Sequence, residues 1–598
     1  MKNIRMSSYY EMLYTIPLRR AMIPLSIVWL TLLTAPFGLN AQEVNPRPPR
    51  EPVKVAEGKH GMVVTDTPFA SQVGRDILAK GGNAVDAAVG VSIALQVSWP
   101  EAGNIGGGGF MMISRPDEEV VCVSYREKAP AAVNEHSFDK WKEHYHVYMA
   151  GVPGTVRGLA LAHEKYGKLP WKEIIEPSIV ASRDGLEVDA YLAYSLNSVL
   201  LQGFIQKEDR FAELRRVYGH PEGRPWRAGD RLVQSDLAVS LTLIAEEGPS
   251  AFYEGPIADK IADEMQRGGG LMTKQDLKDY TAKVQTPIKG EFGPYTIYGA
   301  APPSSGGTTV LMQMQILEAL DFPTGQKDYW TADQVHLMTE AMRRSFRERA
   351  AWLGDPDFVS IPEHLITKEH AKKLAATIDP TKATPSTEIA GDIELTEGPY
   401  ESPQTTHFSV IDKDGIAVSS TYTLEETFGC RIVVKGTGFL LNNEMGDFNW
   451  YPGYTNHEGK IGTKANRLAP GKRMLSSMSP TMVLQDGKPK LLIGSPGGRT
   501  IINTVSNILV QTLVLNRPLE EAIDGPRFHH QWFPDVLRYE ASDGVFAKIE
   551  DDLKARGYTI QPWSGRQGCA QGIIVDTETG VAKGVGDWRR GSSALAVE

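Results

Sequence analysis

The sequence predicts an α+β fold, on three observations. Some segments carry apolar residues at helical spacing, others alternate with a period of two, and both kinds interleave on either side of a proline-rich stretch at 377–404. After the polar entry "EVNPRPPREPVKVAEGKHG", the apolar run "MVVTDTP" predicts a strand and "ASQVGRDILAKGG" a helix stopped by glycine. "NAVDAAVGVSIALQVSWP" predicts a second helix, so apolar all round that other protein must cover it. "GNIGGGGFMMISR" and "VVCVSYRE" predict a glycine-rich turn leading into two strands, and "TVRGLALAHEKYG" and "PWKEIIEPSIVASRDG" return to helical spacing. From about 223 to 379 the chain reads as helix-rich with proline and glycine punctuation. Residues 377–404, with Pro380, Pro385, Pro399 and Pro403 and few large apolar groups, read as an exposed tail or linker. Beyond it, "THFSVID", "DKDG" and "IAVSSTYTL" make a β-hairpin, and "TMVLQDGKPKLLIGS" makes another ahead of the helical run "TIINTVSNILVQTL". No internal repeat is visible.

A chain of 598 residues with 41% hydrophobic and 23% charged residues folds around a sizeable core. Its 63 basic residues against 73 acidic ones give a net charge of −10 with no long basic block, which argues against a nucleic-acid partner. Arg19 and Arg20 precede an uncharged run from Ala21 to Gln42, with the small residue Ala41 placed for cleavage. This predicts an export signal over residues 1–42 and a periplasmic or secreted product. The competing reading, an uncleaved membrane anchor, is weakened by Pro24, Pro36 and Gly38. Cys122, Cys430 and Cys569 are odd in number and widely spaced, so no disulfide framework is expected. Free, small, buried residues are the reading preferred to a single bridge.

Thr405 and Thr406 stand where the loop-like stretch meets the first hairpin strand. A threonine hydroxyl is hardly ionised at neutral pH and needs an adjacent base to act as a nucleophile. Cutting the chain before Thr405 would free an α-amine with a reference pKa of about 7.7–8.0, within reach of the same residue's hydroxyl. An accessible bond followed by a rigid strand is the geometry such a device requires. The alternative is an ordinary β-branched residue that starts a strand.

"QTTHFSVIDKDGIAVSSTYTL" resembles the start of the small subunit of γ-glutamyltranspeptidases, N-terminal-nucleophile hydrolases that cut themselves before a threonine. The blocks "GGNAVDAAV", "PEAGNIGGGGFM", "YREKAP", "AGVPGTVRGL", "APPSSGG", "LGDPDFV", "LLNNEMGDF", "LSSMSP", "GSPGGRTIINTV" and "PRFHHQW" resemble the family in family order. The resemblance implies a four-layer αββα sandwich built as one domain from two chains. A large subunit, 43–404, would pair with a small one, 405–598, after cleavage between Gln404 and Thr405. It implies γ-glutamyl transfer from glutathione and related donors to water, amino acids or dipeptides. Contact with a membrane would arise only through an uncleaved N-terminus.

The resemblance also assigns roles. Thr405 is the nucleophile and Thr423 its hydrogen-bonding partner. Gly497 and Gly498 supply the backbone N–H groups that hold the oxyanion. Arg126 grips the substrate's α-carboxylate, a pairing suited to a planar guanidinium, together with Ser476 and Ser477. Asp447 holds the α-ammonium, with Glu444 nearby. Glu425 stands where many members carry asparagine, although its carboxylate also accepts from an ammonium group. By composition alone Arg126 reads as a surface ion-pair residue, Thr423 as a strand residue, and "SS" and "PGG" as turns. The run from Phe448 to Leu475 is long enough to form a lid.

"GNIGGGGF" follows a helical run and enters a strand, the reverse of a dinucleotide fingerprint. His529 and His530 lack a third ligand at useful spacing and sit near Trp532, so packing is expected of them. No metal or cofactor is expected. Two other functions compete: an acylase of glutaryl or cephalosporin-type amides, which would not need Asp447 and Glu444, and a processed but inactive binding protein, which would not need Thr405, Thr423 and the glycine pair.

Overall fold

The computed structural model describes residues 45–598 except 142, 326–327, 397–404, 451–452, 454 and 542. The expected export signal and Gln404 therefore lie outside the described residues. In chain order, β1 (Lys54–Gly58) and β2 (Gly61–Thr65) precede helices α1 (Pro68–Ala79) and α2 (Ala84–Ser98). Next come β3 (Gly108–Ser114), β4 (Val121–Ser124), β5 (Lys283–Gln285), β6 (Ile288–Phe292) and β7 (Tyr295–Gly299). Helices α3 (Gly306–Ala319) and α4 (Ala332–Trp352) lead to β8 (Thr406–Asp412) and β9 (Ala417–Thr423). The chain continues with β10 (Thr481–Gln485), β11 (Lys488–Ile493) and α5 (Thr500–Leu509). It closes with β12 (Gln571–Val575), β13 (Ala582–Gly586) and β14 (Ser593–Ala596).

Two seven-stranded sheets result, one in the order β14-β2-β8-β9-β3-β4-β5 and the other β1-β13-β12-β11-β10-β7-β6. Side-chain alternation explains why both sheets are covered on both faces. In the first sheet Met62, Val64, Phe110 and Met112 join a core with Tyr298, Met482, Leu484 and Leu492 of the second. Their immediate neighbours Val63, Met111, Ile113 and Val410 turn the other way, onto α1 and α2. On the second sheet Ile297, Val483, Leu491 and Ile493 turn outward onto α3, α4 and α5. The layers are helix, sheet, sheet, helix, the architecture the sequence reading expected.

Every residue of α2 is buried, as its apolar circumference requires, and Asn83 with Asp86 forms a capping box at its start. Cys122, Cys430 and Cys569 are free and buried. Two expectations need correction. The helix-rich middle also contains β5, β6 and β7, short strands toward the sheet margins that helical punctuation had hidden. The stretch after residue 377 is not an exposed tail over its described part. Ile378, Ala383 and Ala390 join the core, and Ser386 is fully buried, its hydroxyl donating to the Trp532 carbonyl at 2.6 Å. Small side chains fit into that packing without the large apolar groups by which burial is recognised in sequence.

Phe110 is wholly buried on the face between the sheets. Phe110→Ala should lower unfolding stability by about 3–5 kcal/mol, read as a shift in the denaturant midpoint without a change in slope.

Candidate active site

The first hairpin fixes the nucleophile candidate. β8 and β9 pair Thr406 with Tyr422 in antiparallel register, and one further step sets Thr405 opposite Thr423. Facing residues of such a pair hold their Cβ atoms roughly 5 Å apart. Thr423 Oγ1 accepts from the Glu425 N–H at 2.8 Å. Thr405 is buried, and its carbonyl accepts from Arg590 Nη1 at 2.9 Å.

The glycine run before β3 makes room for this end of the sheet. A Cβ at Gly107 would lie 2.0 Å from the Thr423 carbonyl oxygen, and one at Gly108 would lie 2.4 Å from that of Tyr125. Asn104 then reaches across, its Nδ2 donating to the Thr423 carbonyl at 2.9 Å. The run is a close backbone approach, which accounts for glycine without any nucleotide.

Arg126, Thr405, Thr423, Glu425, Asp447, Ser476, Ser477 and Gly498 line one cleft of about 1170 Å³, including the space open to solvent. Arg126 is its electrostatic centre. The guanidinium pairs with Glu127 at 3.2 Å and with Glu444 and Asp447, and it donates to the carbonyls of Met474 at 3.3 Å and Leu475 at 3.2 Å. Glu444 does not line the cleft: it is fully buried against the arginine, whereas the Asp447 side chain is 37% exposed. Burial pushes the Glu127 carboxyl up to about 7 against the pull of Arg126. Burial also lifts Glu444 well above the carboxylate range, reinforced by its acidic neighbours. Protonation thus relieves the crowding of carboxylates around one cation.

Ser476 and Ser477 are set by "APPSSGG". The Ser305 N–H donates to the Ser476 carbonyl at 2.7 Å, and the Ser476 N–H donates to that of Pro303 at 2.9 Å. Arg349, which the sequence reading missed, donates to Ser477 Oγ at 2.9 Å and to Ser305 Oγ at 2.8 Å. Gly497 and Gly498 precede α5 with φ of 130° and 55°, conformations that favour glycine. No described residue accepts from either amide. Gly498 lines the cleft with Thr405, and Gly497 lines the cavity beside it. Glu425 has a φ of 78°, in the left-handed region that asparagine enters more readily, so glutamate there costs roughly 1 kcal/mol. His529 also lines the cleft, its Nδ1 accepting from Asn503 at 2.7 Å and its Nε2 bonded to Gln531 at 2.8 Å. Burial holds the His529 ring down at about 3 and that of His530 at about 4, as expected of packed neutral imidazoles.

Behind Thr405 lies a second group the sequence reading missed. Asp66, fully buried, accepts from Thr406 Oγ1 at 2.6 Å and from Gln571 Nε2 at 2.6 Å, and Arg590 approaches it at 3.9 Å. Asp66 follows β2 and Arg590 precedes β14, so only the assembled sheet brings them to Thr405 and Thr406.

Burial raises the Asp66 carboxyl from 3.8 to about 6. The folded chain therefore holds this proton more tightly than the unfolded chain, and the stabilisation is complete below the unfolded value and lost as pH rises through about 6. Between about pH 4 and about pH 7 wild-type stability should fall relative to Asp66→Asn by up to ~3 kcal/mol, read from denaturant midpoints of both proteins.

A family model described as Gamma-glutamyltranspeptidase matches residues 70–597. The chain is 45% identical over 526 residues to the glutathione hydrolase proenzyme of Escherichia coli (strain K12), spanning 86% of this chain and 88% of that protein. Among solved structures, cephalosporin acylase from Bacillus halodurans superposes with a TM-score of 0.81 at 26% identity, covering 95% of this chain and 100% of that one. Helicobacter pylori gamma-glutamyltranspeptidase superposes with a TM-score of 0.51 at 35% identity, covering 56% of this chain and 96% of that one.

Proposed function

The chain belongs to the γ-glutamyltranspeptidase family, and we propose that it is a γ-glutamyltransferase and glutathione hydrolase whose nucleophile is Thr405. The observation that carries the reading is the ion cluster on Arg126, set in the same cleft as Thr405. A γ-glutamyl group ends in an α-carboxylate and an α-ammonium. Its carboxylate replaces Asp447 on Arg126 while its ammonium takes Asp447, so the zwitterion enters by dividing an existing ion pair and leaves neither charge uncompensated. Ser476 and Ser477 share the carboxylate. The Glu444 position, under the guanidinium, supports the arginine rather than touching the ligand.

Cleavage between Gln404 and Thr405 comes first. Thr405 Oγ attacks the Gln404 carbonyl carbon, the peptide becomes an ester, and water opens it to a Gln404 carboxylate and a free Thr405 amine. The name proenzyme borne by the E. coli relative supports such a step. The products, 43–404 and 405–598, stay together because Arg126 of one and Asp447 of the other form one cluster.

In the mature site the Thr405 amine takes the hydroxyl proton, with Thr423 donating to Oγ to orient it. Oγ attacks the γ-carbonyl, and the amides of Gly497 and Gly498 hold the oxyanion at the positive end of α5. The proton passes to the departing amine, leaving a γ-glutamyl-threonine ester. Water releases glutamate from it, and an amino acid or dipeptide yields a transfer product. Phe448, Asn449, Lys460, Ile461 and Asn466 of the expected lid also line the cleft, positioned to limit water. The run before residue 42 supports export to the periplasm or medium, and no helix among the described residues is long and apolar enough to cross a membrane.

The acylase reading has the likeness to cephalosporin acylase in its favour and Asp447 against it. Asp447→Ala should lower kcat/KM for a γ-glutamyl anilide by about 10²-fold, the worth of a charged hydrogen bond, and leave turnover of a glutaryl anilide at or above the wild-type level. Equal losses on both anilides would contradict the assignment of the ammonium to Asp447.

A further inference from the structure

Behind the cleft lining, the end of α4 and the two segments after it gather three metal-ligating side chains that do not themselves line the cleft. Glu348 lies on α4, His364 in the 3-10 turn Glu363–Ile366, and His370 in the helix Lys368–Ala375. One ligand atom from each lies within 4.8 Å of the other two. We propose that Glu348, His364 and His370 bind one divalent transition-metal ion, with zinc the best match to the donor set.

Two imidazoles and one carboxylate suit zinc, whereas magnesium and calcium require oxygen donors throughout. An independent observation points the same way: His370 Nε2 is buried and has no hydrogen-bond partner. An orphaned ring nitrogen costs free energy in water-excluded surroundings, and a metal ion would satisfy it. The backbone is already arranged. Thr367 Oγ1 accepts from the His370 N–H at 3.3 Å and donates to the His364 carbonyl at 2.8 Å, tying the two histidine segments to one side chain. The rings stand edge to face at 64° with centroids 4.7 Å apart. Tetrahedral zinc with bonds near 2.1 Å holds its ligand atoms roughly 3.4 Å apart, so donors within 4.8 Å of one another close by at most about 1.4 Å. His364 is exposed and supplies that movement by rotating.

The charges nearby permit it. Arg347 bonds Glu348 through Oε1 at 3.2 Å and also reaches Asp392, and Lys373 pairs with Glu369 at 2.7 Å. Glu348 Oε2 remains for the metal.

The position gives the ion a task. Joining Glu348 to His364 closes the base of the loop 353–363, whose Asp355 accepts from the Arg473 N–H at 2.7 Å and whose Gly354 packs on the Ala465 backbone. Arg473 directly precedes Met474 and Leu475, the carbonyl partners of Arg126. The ion would brace one wall of the cleft without touching substrate.

The test uses tag-free mature protein stripped with chelator and titrated with zinc alone by calorimetry. Wild type should take up one zinc per chain and melt at a higher temperature with it. His364→Ala and Glu348→Gln should each weaken binding at least tenfold and lose the rise in Tm, while the exposed control His60→Ala keeps both. Absence of a saturable site in wild type overturns the proposal, as does unchanged affinity in His364→Ala and Glu348→Gln. Because the readout is binding and melting rather than turnover, the result is independent of the proposed reaction.

Discussion

The antiparallel register between β8 and β9 is the constraint on which the rest depends. It places Thr405, one step before β8, opposite Thr423 at the end of β9, where two central strands of a seven-stranded sheet hold both residues. The surrounding features serve that placement. Glycines 106–109 let β3 close on the end of β9, Asn104 holds the Thr423 carbonyl, and Arg590 holds that of Thr405. Arg590 in turn is anchored near Asp66 and Glu101, at 3.9 and 3.8 Å. A weak nucleophile gains reactivity from fixed geometry more than from its own acidity, and a rigid sheet is the means of fixing it.

The cluster around Arg126 is built on a different principle. Arg126 sits among more carboxyl groups than one cation can neutralise, and protonation of the buried acids balances the excess. On the proposed reading, Asp447 beside Arg126 would separate a γ-glutamyl group from a glutaryl one, which brings a carboxylate without the ammonium. Glu425 adds to this acidic surface at a backbone position where its own conformation is strained, a cost that residues at functional sites commonly carry.

Local pattern made much of the fold legible. The two hairpins and the wholly apolar α2 follow from period and turn chemistry within a few residues of sequence, and the four layers follow once alternation along each strand is known. What was hidden depends on distant partners. β5 is short and pairs with β4, more than 150 residues earlier in the chain. Ser386 looked exposed because its burial rests on Trp532 and Asp535, far along the sequence. In the site, Thr405, Arg126 and Asp447 stood in recognisable motifs. Asp66, Arg349 and Arg590 carried no local signal, since each is defined by what the fold brings to it. Glu444 was found by motif and placed near the ammonium site, and its burial beneath the guanidinium could only be read from three dimensions.

The central claim is that Thr405 becomes a chain terminus by its own attack on Gln404. Intact-mass analysis of the purified protein, with sequencing from the N-terminus of the smaller species, tests it directly. The account predicts two fragments, the smaller beginning at Thr405, and a single uncut chain for Thr405→Ala. A wild-type protein that remains one chain while turning over γ-glutamyl amides, or a small fragment beginning elsewhere, would contradict it.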